Sequence, residues 1–223
     1  AVNFMIKYAK GVVCLPLTDR ILKRLELGDM VQHNKESMKT AFTVSVDGSK
    51  EKGISTGISA SDRARTIQLM IDPCTSKNDI VSPGHIFPLK AREMGVLKRA
   101  GHTEAAVDLA RLAGCIPAGV ICEIINDDGS MARGKDLDVF ATQHQLKIVT
   151  IKDLIQYRIA KERFITHIET VNMPTEYGNF TLHCYKDEIN DKNHFALVQG
   201  DIADGQPVLM RVHSECLTGD TLF

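Results

Sequence analysis

The sequence predicts an α+β fold in which helices and strands mix up to about residue 160 and strands dominate beyond it. Three patterns in the 223 residues carry that prediction. Apolar residues recur at helical spacing, as in Val2, Met5, Ile6 and Ala9. Short apolar or alternating runs lie between such stripes, bounded by Gly, Pro and Asp. After residue 163, the runs 164–169, 179–185, 194–198 and 208–212 are all strand-like and separated by turn residues.

Taken in order, the first stripe is the inward face of a helix with no Ser, Thr, Asp or Asn cap immediately before it. Residues 11–15 read as a buried strand. Thr18 then caps a helix with Ile21, Leu22 and Leu25 inward, stopped at Gly28. In 41–47, Phe42, Val44 and Val46 alternate with polar residues, the pattern of a half-buried strand. Residues 59–62 start a helix carrying Ile67, Met70 and Ile71. The segment 82–88 holds a histidine between two prolines and a glycine, and reads as a conformationally fixed loop. An alanine- and leucine-rich helix spans 103–113 and closes at Gly114. Residues 119–126 form an apolar strand, Asp128-Gly129 turns into 130–133, and 146–149 is a further strand. Thr150 caps a helix through Arg158. The expected domains are 1–160 and 161–223.

Composition narrows the function classes. A hydrophobic fraction of 43% and a charged fraction of 25% are ordinary for a globular protein and exclude disordered and collagen-like classes. Twenty-seven basic against 28 acidic residues leave no global pull toward nucleic acid or membrane. No apolar run approaches the roughly 18–20 residues that span a bilayer. Six scattered cysteines without framework spacing favour a reducing, cytoplasmic setting. Both ends read as cut, which suggests a fragment of a longer polypeptide.

The sharpest local feature is Arg99-Ala100-Gly101-His102-Thr103-Glu104, where a loop enters a helix. Unpaired backbone N–H groups and the helix dipole favour an anion there. Gly101 allows close backbone approach, Arg99 can fork onto a phosphate, and His102 is a metal ligand or proton carrier. The bland alternative is an ordinary helix start with Arg99 solvated. His85 sits in the fixed loop, where a lone histidine is more often solvated than catalytic. Glu123 lies among apolar strand residues, either buried as a candidate base or on the exposed face. Cys14, in an apolar strand, reads as a small hydrophobe. His213-Ser214-Glu215-Cys216 offers one thiolate and one imidazole, too few for a zinc site by themselves.

The order of motifs goes further. Gly11-Val12-Val13-Cys14-Leu15-Pro16-Leu17-Thr18, Phe42-Thr43-Val44-Ser45-Val46-Asp47, Thr56-Gly57-Ile58-Ser59-Ala60-Ser61-Asp62-Arg63-Ala64, Pro83-Gly84-His85-Ile86-Phe87-Pro88-Leu89, Gly101-His102-Thr103-Glu104-Ala105-Ala106-Val107-Asp108-Leu109 and Cys122-Glu123-Ile124 closely resemble 3,4-dihydroxy-2-butanone 4-phosphate synthase. The tail from about residue 163 resembles the opening of GTP cyclohydrolase II, and fusion in this order is the bifunctional arrangement of riboflavin biosynthesis.

The resemblance implies a mixed sheet flanked by helices, followed by a partial strand-rich domain. It implies conversion of D-ribulose 5-phosphate to 3,4-dihydroxy-2-butanone 4-phosphate and formate, with Mg²⁺ or Mn²⁺, by a homodimer with sites near its interface. His85 and Glu123 would be the essential acid/base residues. Arg99, Ala100, Gly101, His102, Thr103 and Glu123 would contact substrate, with His102 also a metal ligand. In the parent protein, Arg211, Val212, His213, Ser214 and Glu215 would contact GTP, and Cys216 would bind Zn²⁺. The family's acidic loop, which supplies a carboxylate to the metal, has no counterpart in these residues. The chain by itself is therefore expected to bind the sugar phosphate weakly and turn it over negligibly. A non-catalytic sugar-phosphate-binding or dimerising remnant is the competing expectation.

Overall fold

A computed structural model describes residues 1–214 and 216–220. The chain divides into two compact units, Ala1–Glu162 and Arg163–Phe223. The first is built around α1 (Val2–Phe4, continued by a π-helical turn over Met5–Ala9), β1 (Cys14–Leu17), α2 (Asp19–Arg24), β2 (Val46–Gly48), α3 (Ala60–Ile71), β3 (Ile80–Lys90), α4 (His102–Leu112), α5 (Lys135–His144) and α6 (Ile151–Lys161).

β1 is buried along its whole length, so its apolar run is continuous rather than alternating. It pairs in parallel with β3 from Cys14↔Phe87 to Leu17↔Lys90. On its other side the segment 118–124 runs antiparallel, bridging Leu17↔Ala118, Cys14↔Ile121 and Lys10↔Ile124. β2 pairs antiparallel with β3, which completes a mixed sheet. Val13, Leu15 and Leu17 pack with Ile21, Leu22 and Leu25 on one element and Ile67 and Met70 of α3 on another. Thr18 precedes α2 without a side-chain cap bond, whereas two other helix starts are capped by side chains. Ser59 Oγ accepts from Asp62 N at 3.0 Å, and Thr150 caps α6 in the same way through Asp153 N at 3.1 Å.

In the first unit, four expectations are corrected. The segment 41–47 does not alternate: Thr43 is buried, Phe42 and Val44 are only half-buried, and the strand proper is short. Residues 82–88 are not a loop but the middle of the eleven-residue β3. Pro83 fits because the pairing with β2 jumps from Asp47↔Val81 to Val46↔Ile86, leaving 82–85 as a bulge outside that ladder, while Pro88 keeps its register opposite Leu15 and its carbonyl accepts from Thr43 N. Residues 146–149 are irregular and exposed, held by no ladder. Finally, α2 ends before Gly28, with Glu26 in the left-handed conformation at φ 51°.

Helix α5 was not anticipated. Its Val139 is exposed, and the residue that fixes it is Phe140, stacked among His144 and Phe4. In the second unit, β4 (Ile165–Thr175), β5 (Gly178–Asp187) and β6 (Lys192–Val198) form an antiparallel meander. The expected strand at 208–212 is instead irregular and exposed. Among the described residues, no helix is long and apolar enough to cross a membrane.

Candidate active site

The bulge in β3 creates a local problem, because residues that leave the ladder lose their backbone partners. Side chains from the segment entering β2 replace them. Ser82 Oγ donates to the Ser45 carbonyl at 2.6 Å, and Gly84 N donates to Ser45 Oγ at 3.2 Å. His85 N donates to Asp47 Oδ1 at 2.9 Å, and the His85 ring meets Asp47 Oδ2 through Nδ1 at 2.6 Å. The Asp47 side chain is 9% exposed while that of His85 is 40% exposed, so the ring has a held edge and a wet one. Beside Asp47 opens a depression of about 460 Å³ lined by Lys50, Ile54, Ser55, Thr56, Gly57 and Asn78, among others.

Glu123 lies in the segment on the far side of β1. The exposed alternative is the one adopted. Its side chain folds back so that Oε2 accepts from Val12 N at 2.9 Å. Gly11 permits this: a Cβ there would lie 2.6 Å from both Glu123 Oε2 and the Glu123 carbonyl oxygen. Continuing the β1–β3 register two residues back from Cys14↔Phe87 places Val12 beside His85. His85 and Glu123 thus approach the same end of β1 from its two sides.

The loop before α4 is organised by a carboxylate that the sequence reading passed over. Glu104, 1% exposed, accepts from Arg92 N at 3.0 Å and from Arg99 Nη1 at 2.6 Å. Arg99 also donates through Nη2 to the Met38 carbonyl at 3.0 Å and Thr40 Oγ1 at 3.3 Å. Arg99 is therefore tied into the protein rather than solvated, which fixes the loop backbone in place. Gly101 is the N-cap of α4, Ala100 and His102 are exposed, and Thr103 is buried. The first-turn N–H groups of α4 keep no partner within the helix.

These two groups are not adjacent within one chain. Ala91 N donates to the Leu17 carbonyl, and Arg92 N reaches Glu104, so the Arg99–Glu104 pair sits at the carboxyl ends of β1 and β3. Five residue steps run from Ile86 to Ala91, about 16 Å at about 3.3 Å per residue. The donor set for a metal is also thin. Among the described residues, no three His, Cys, Asp or Glu side chains are gathered as an ion would require.

The family model for 3,4-dihydroxy-2-butanone 4-phosphate synthase matches residues 1–157. The chain belongs to that synthase family. The model for GTP cyclohydrolase II matches residues 166–223. Riboflavin biosynthesis protein RibBA of Bacillus mycoides is 54% identical over 219 residues, covering 98% of this chain and 54% of the relative. Its namesake in Aquifex aeolicus is 52% identical over 220 residues, covering 99% and 54%. The chain spans about half the length of these curated relatives. Among solved structures, RibBX from A. baumannii, a two-domain synthase, superposes with a TM-score of 0.79 at 48% identity, over 92% of this chain and 60% of that one. A synthase in complex with two magnesium ions gives 0.68 at 40% identity, over 72% and 79%.

In the synthase unit, Cys14 lies beneath the His85–Glu123 end of β1 and is buried. Burial first, then the charge of Glu123 and the neighbouring Cys122, pushes its thiol up to about 12. It is therefore a packing residue and not a nucleophile. Iodoacetamide at pH 8 is expected to modify the exposed Cys74 and Cys115 in the native chain and to spare Cys14. Peptide mass mapping reads this directly, and Cys14 alkylated as fast as Cys74 would contradict it.

Among the cyclohydrolase residues, 211–214 are irregular and exposed, and His213 Nε2 lies 3.1 Å from Asp220 Oδ2. Cys216 is exposed, with Sγ 3.3 Å from Thr218 Oγ1. Glu215 lies outside the described residues.

Proposed function

We propose that the polypeptide carrying this chain converts D-ribulose 5-phosphate to 3,4-dihydroxy-2-butanone 4-phosphate and formate, as a cytoplasmic homodimer, within domains close to 1–160 and 161–223. The observation that supports this best is the start of α4: first-turn N–H groups open beside Gly101, on a loop pinned by the buried Glu104. A phosphate is held at such a helix start by backbone donors and dipole together. Arg99 still has donors beyond its three protein bonds to offer the same anion.

His85 acts as the acid/base group through Nε2, since its Nδ1 is occupied by Asp47. It takes a proton from the carbon beside the substrate carbonyl; the C–H electron pair forms the new C=C bond as the carbonyl π pair moves onto oxygen, and the imidazolium later returns the proton. Glu123 keeps Oε1 for a substrate hydroxyl while Oε2 is tied to Val12. A five-carbon sugar phosphate cannot bridge about 16 Å of strand. The α4 start of one copy is therefore brought to His85 of the other across the dimer.

Magnesium is the family's metal, and bound it would grip adjacent substrate oxygens. His102, a single nitrogen donor, does not make a site for a cation that prefers oxygen ligands, and no step here runs through it. Residues 211–215 and Cys216 belong to the GTP and zinc sites of the same polypeptide. Formate released from ribulose 5-phosphate in magnesium by that polypeptide tests the reading. Binding of the sugar phosphate without formate would leave the remnant alternative standing in its place.

A further inference from the structure

We propose that Asp47 is the positioning residue for His85: it fixes the ring as the Nδ1–H tautomer and leaves Nε2 open toward substrate. The proposal deepens the reading of His85 as the acid/base group and rests on it.

Both carboxylate oxygens of Asp47 are spent on one residue. Oδ1 takes the backbone N–H of His85 at 2.9 Å and Oδ2 meets its ring Nδ1 at 2.6 Å. A carboxylate that only needed partners in a buried place would be satisfied by any donors. Holding backbone and ring of the same residue instead fixes where the ring points. An ionised carboxylate has no proton to give, so Nδ1 must be the donor and Nε2 the free base. When Nε2 takes a proton, the imidazolium is stabilised by the carboxylate already beside it.

A second feature seals that bond. Gly57 has φ 84°, and a Cβ there would lie 2.0 Å from Asp47 Oδ2 and 2.8 Å from His85 Nδ1. Its backbone therefore lies against the hydrogen bond, where any side chain would intrude. The turn is itself anchored. Ser55 Oγ and Gly57 N both donate to Asp62 Oδ2, at 2.7 and 3.0 Å, and Asp62 N is capped by Ser59 Oγ. The motif 55–62 thus places Gly57 against the Asp47–His85 pair.

Two readouts on the polypeptide carrying this chain test the proposal. Long-range ¹H–¹⁵N correlation spectra report which ring nitrogen of His85 carries the proton, and steady-state kinetics with ribulose 5-phosphate report kcat and KM. The wild type is expected to be Nδ1–H. Asp47→Asn offers one acceptor where two donors stand, so it should release the ring to Nε2–H and lower kcat by about 10²–10⁴ with KM little changed. Gly57→Ala should do the same by entering the hydrogen bond, while Asp47→Glu should restore both tautomer and rate. A wild-type ring already Nε2–H, or a tautomer unmoved by Asp47→Asn, would overturn the proposal. A tautomer that moves with kcat undiminished would overturn it differently, by removing His85 from the chemistry.

Discussion

Arg158→Met is expected to destabilise the first unit by about 3–5 kcal/mol, the usual cost of breaking a buried ion pair from one side. Arg158 is 3% exposed and sits near the end of α6. Its Nη1 donates to Asp108 Oδ2 of α4 at 2.9 Å and to the Met94 carbonyl at 2.7 Å. Its Nε and Nη2 fork onto Glu162 at 2.7 and 2.9 Å, and Glu162 also receives Arg111. Asp108, 4% exposed, also accepts from Val96 N at 2.8 Å, so methionine would leave a nearly desolvated carboxylate short of its countercharge. Urea unfolding followed by circular dichroism measures the loss. Replacing both partners, Arg158→Met with Asp108→Leu, should cost less than Arg158→Met alone, because no buried charge is then orphaned.

The same network sets a pH dependence. The Arg158 fork holds the Glu162 carboxyl below its usual range, despite some opposing desolvation. A carboxyl lowered in the folded state contributes stability above its unfolded pKa, and that contribution is lost as pH falls through the folded value. Wild-type stability should therefore fall on acidification below about pH 4.5, the ordinary glutamate range, more steeply than that of Arg158→Met. Equal slopes would show that Glu162 does not feel Arg158.

The physical reason some features were legible and others were not is sequence distance. Ser59 and Asp62, or Thr150 and Asp153, state a helix start within four residues, and Gly114 at φ 72° marks where α4 ends. The loop-to-helix anion feature at 99–104 is equally local. The clasp of Asp47 on His85 spans 38 positions and exists only once β2 and β3 are in register. Two prolines hid β3, because a bulge supported by Ser45 and Asp47 cannot be seen from periodicity alone. Arg158 and Asp108 stand 50 positions apart, and no local pattern joins them. Glu104 stood in the motif without a role of its own, whereas its burial makes it the residue that holds the loop. The motifs themselves pointed to the family whose model matches residues 1–157, yet roles for individual side chains came from resemblance and not from spacing.

Two inactive variants should rescue each other when mixed. His85→Ala removes the acid/base ring and is expected to lower turnover by about 10²–10⁴, with affinity for ribulose 5-phosphate far less affected. His102→Ala removes the exposed side chain at the first residue of α4, which the family resemblance places against substrate, so it is expected to lower turnover while leaving the fold intact. In one chain His85 lies in the middle of β3, whereas His102 opens α4 beyond that strand's carboxyl end, about 16 Å farther along the strand direction. If each site takes His85 from one copy and the α4 start from the other, a mixed dimer holds one site with both defects and one with neither. Random reassembly of equal amounts makes half the dimers mixed, so about a quarter of wild-type turnover should return. Unfolding the two variants together and refolding them, then assaying formate, gives the number. Turnover that stays at the level of the separate variants would place both histidines in one chain's site. The phosphate would then reach His85 without a partner, and the 16 Å gap would have to close by movement of the loop that Arg99 and Glu104 hold.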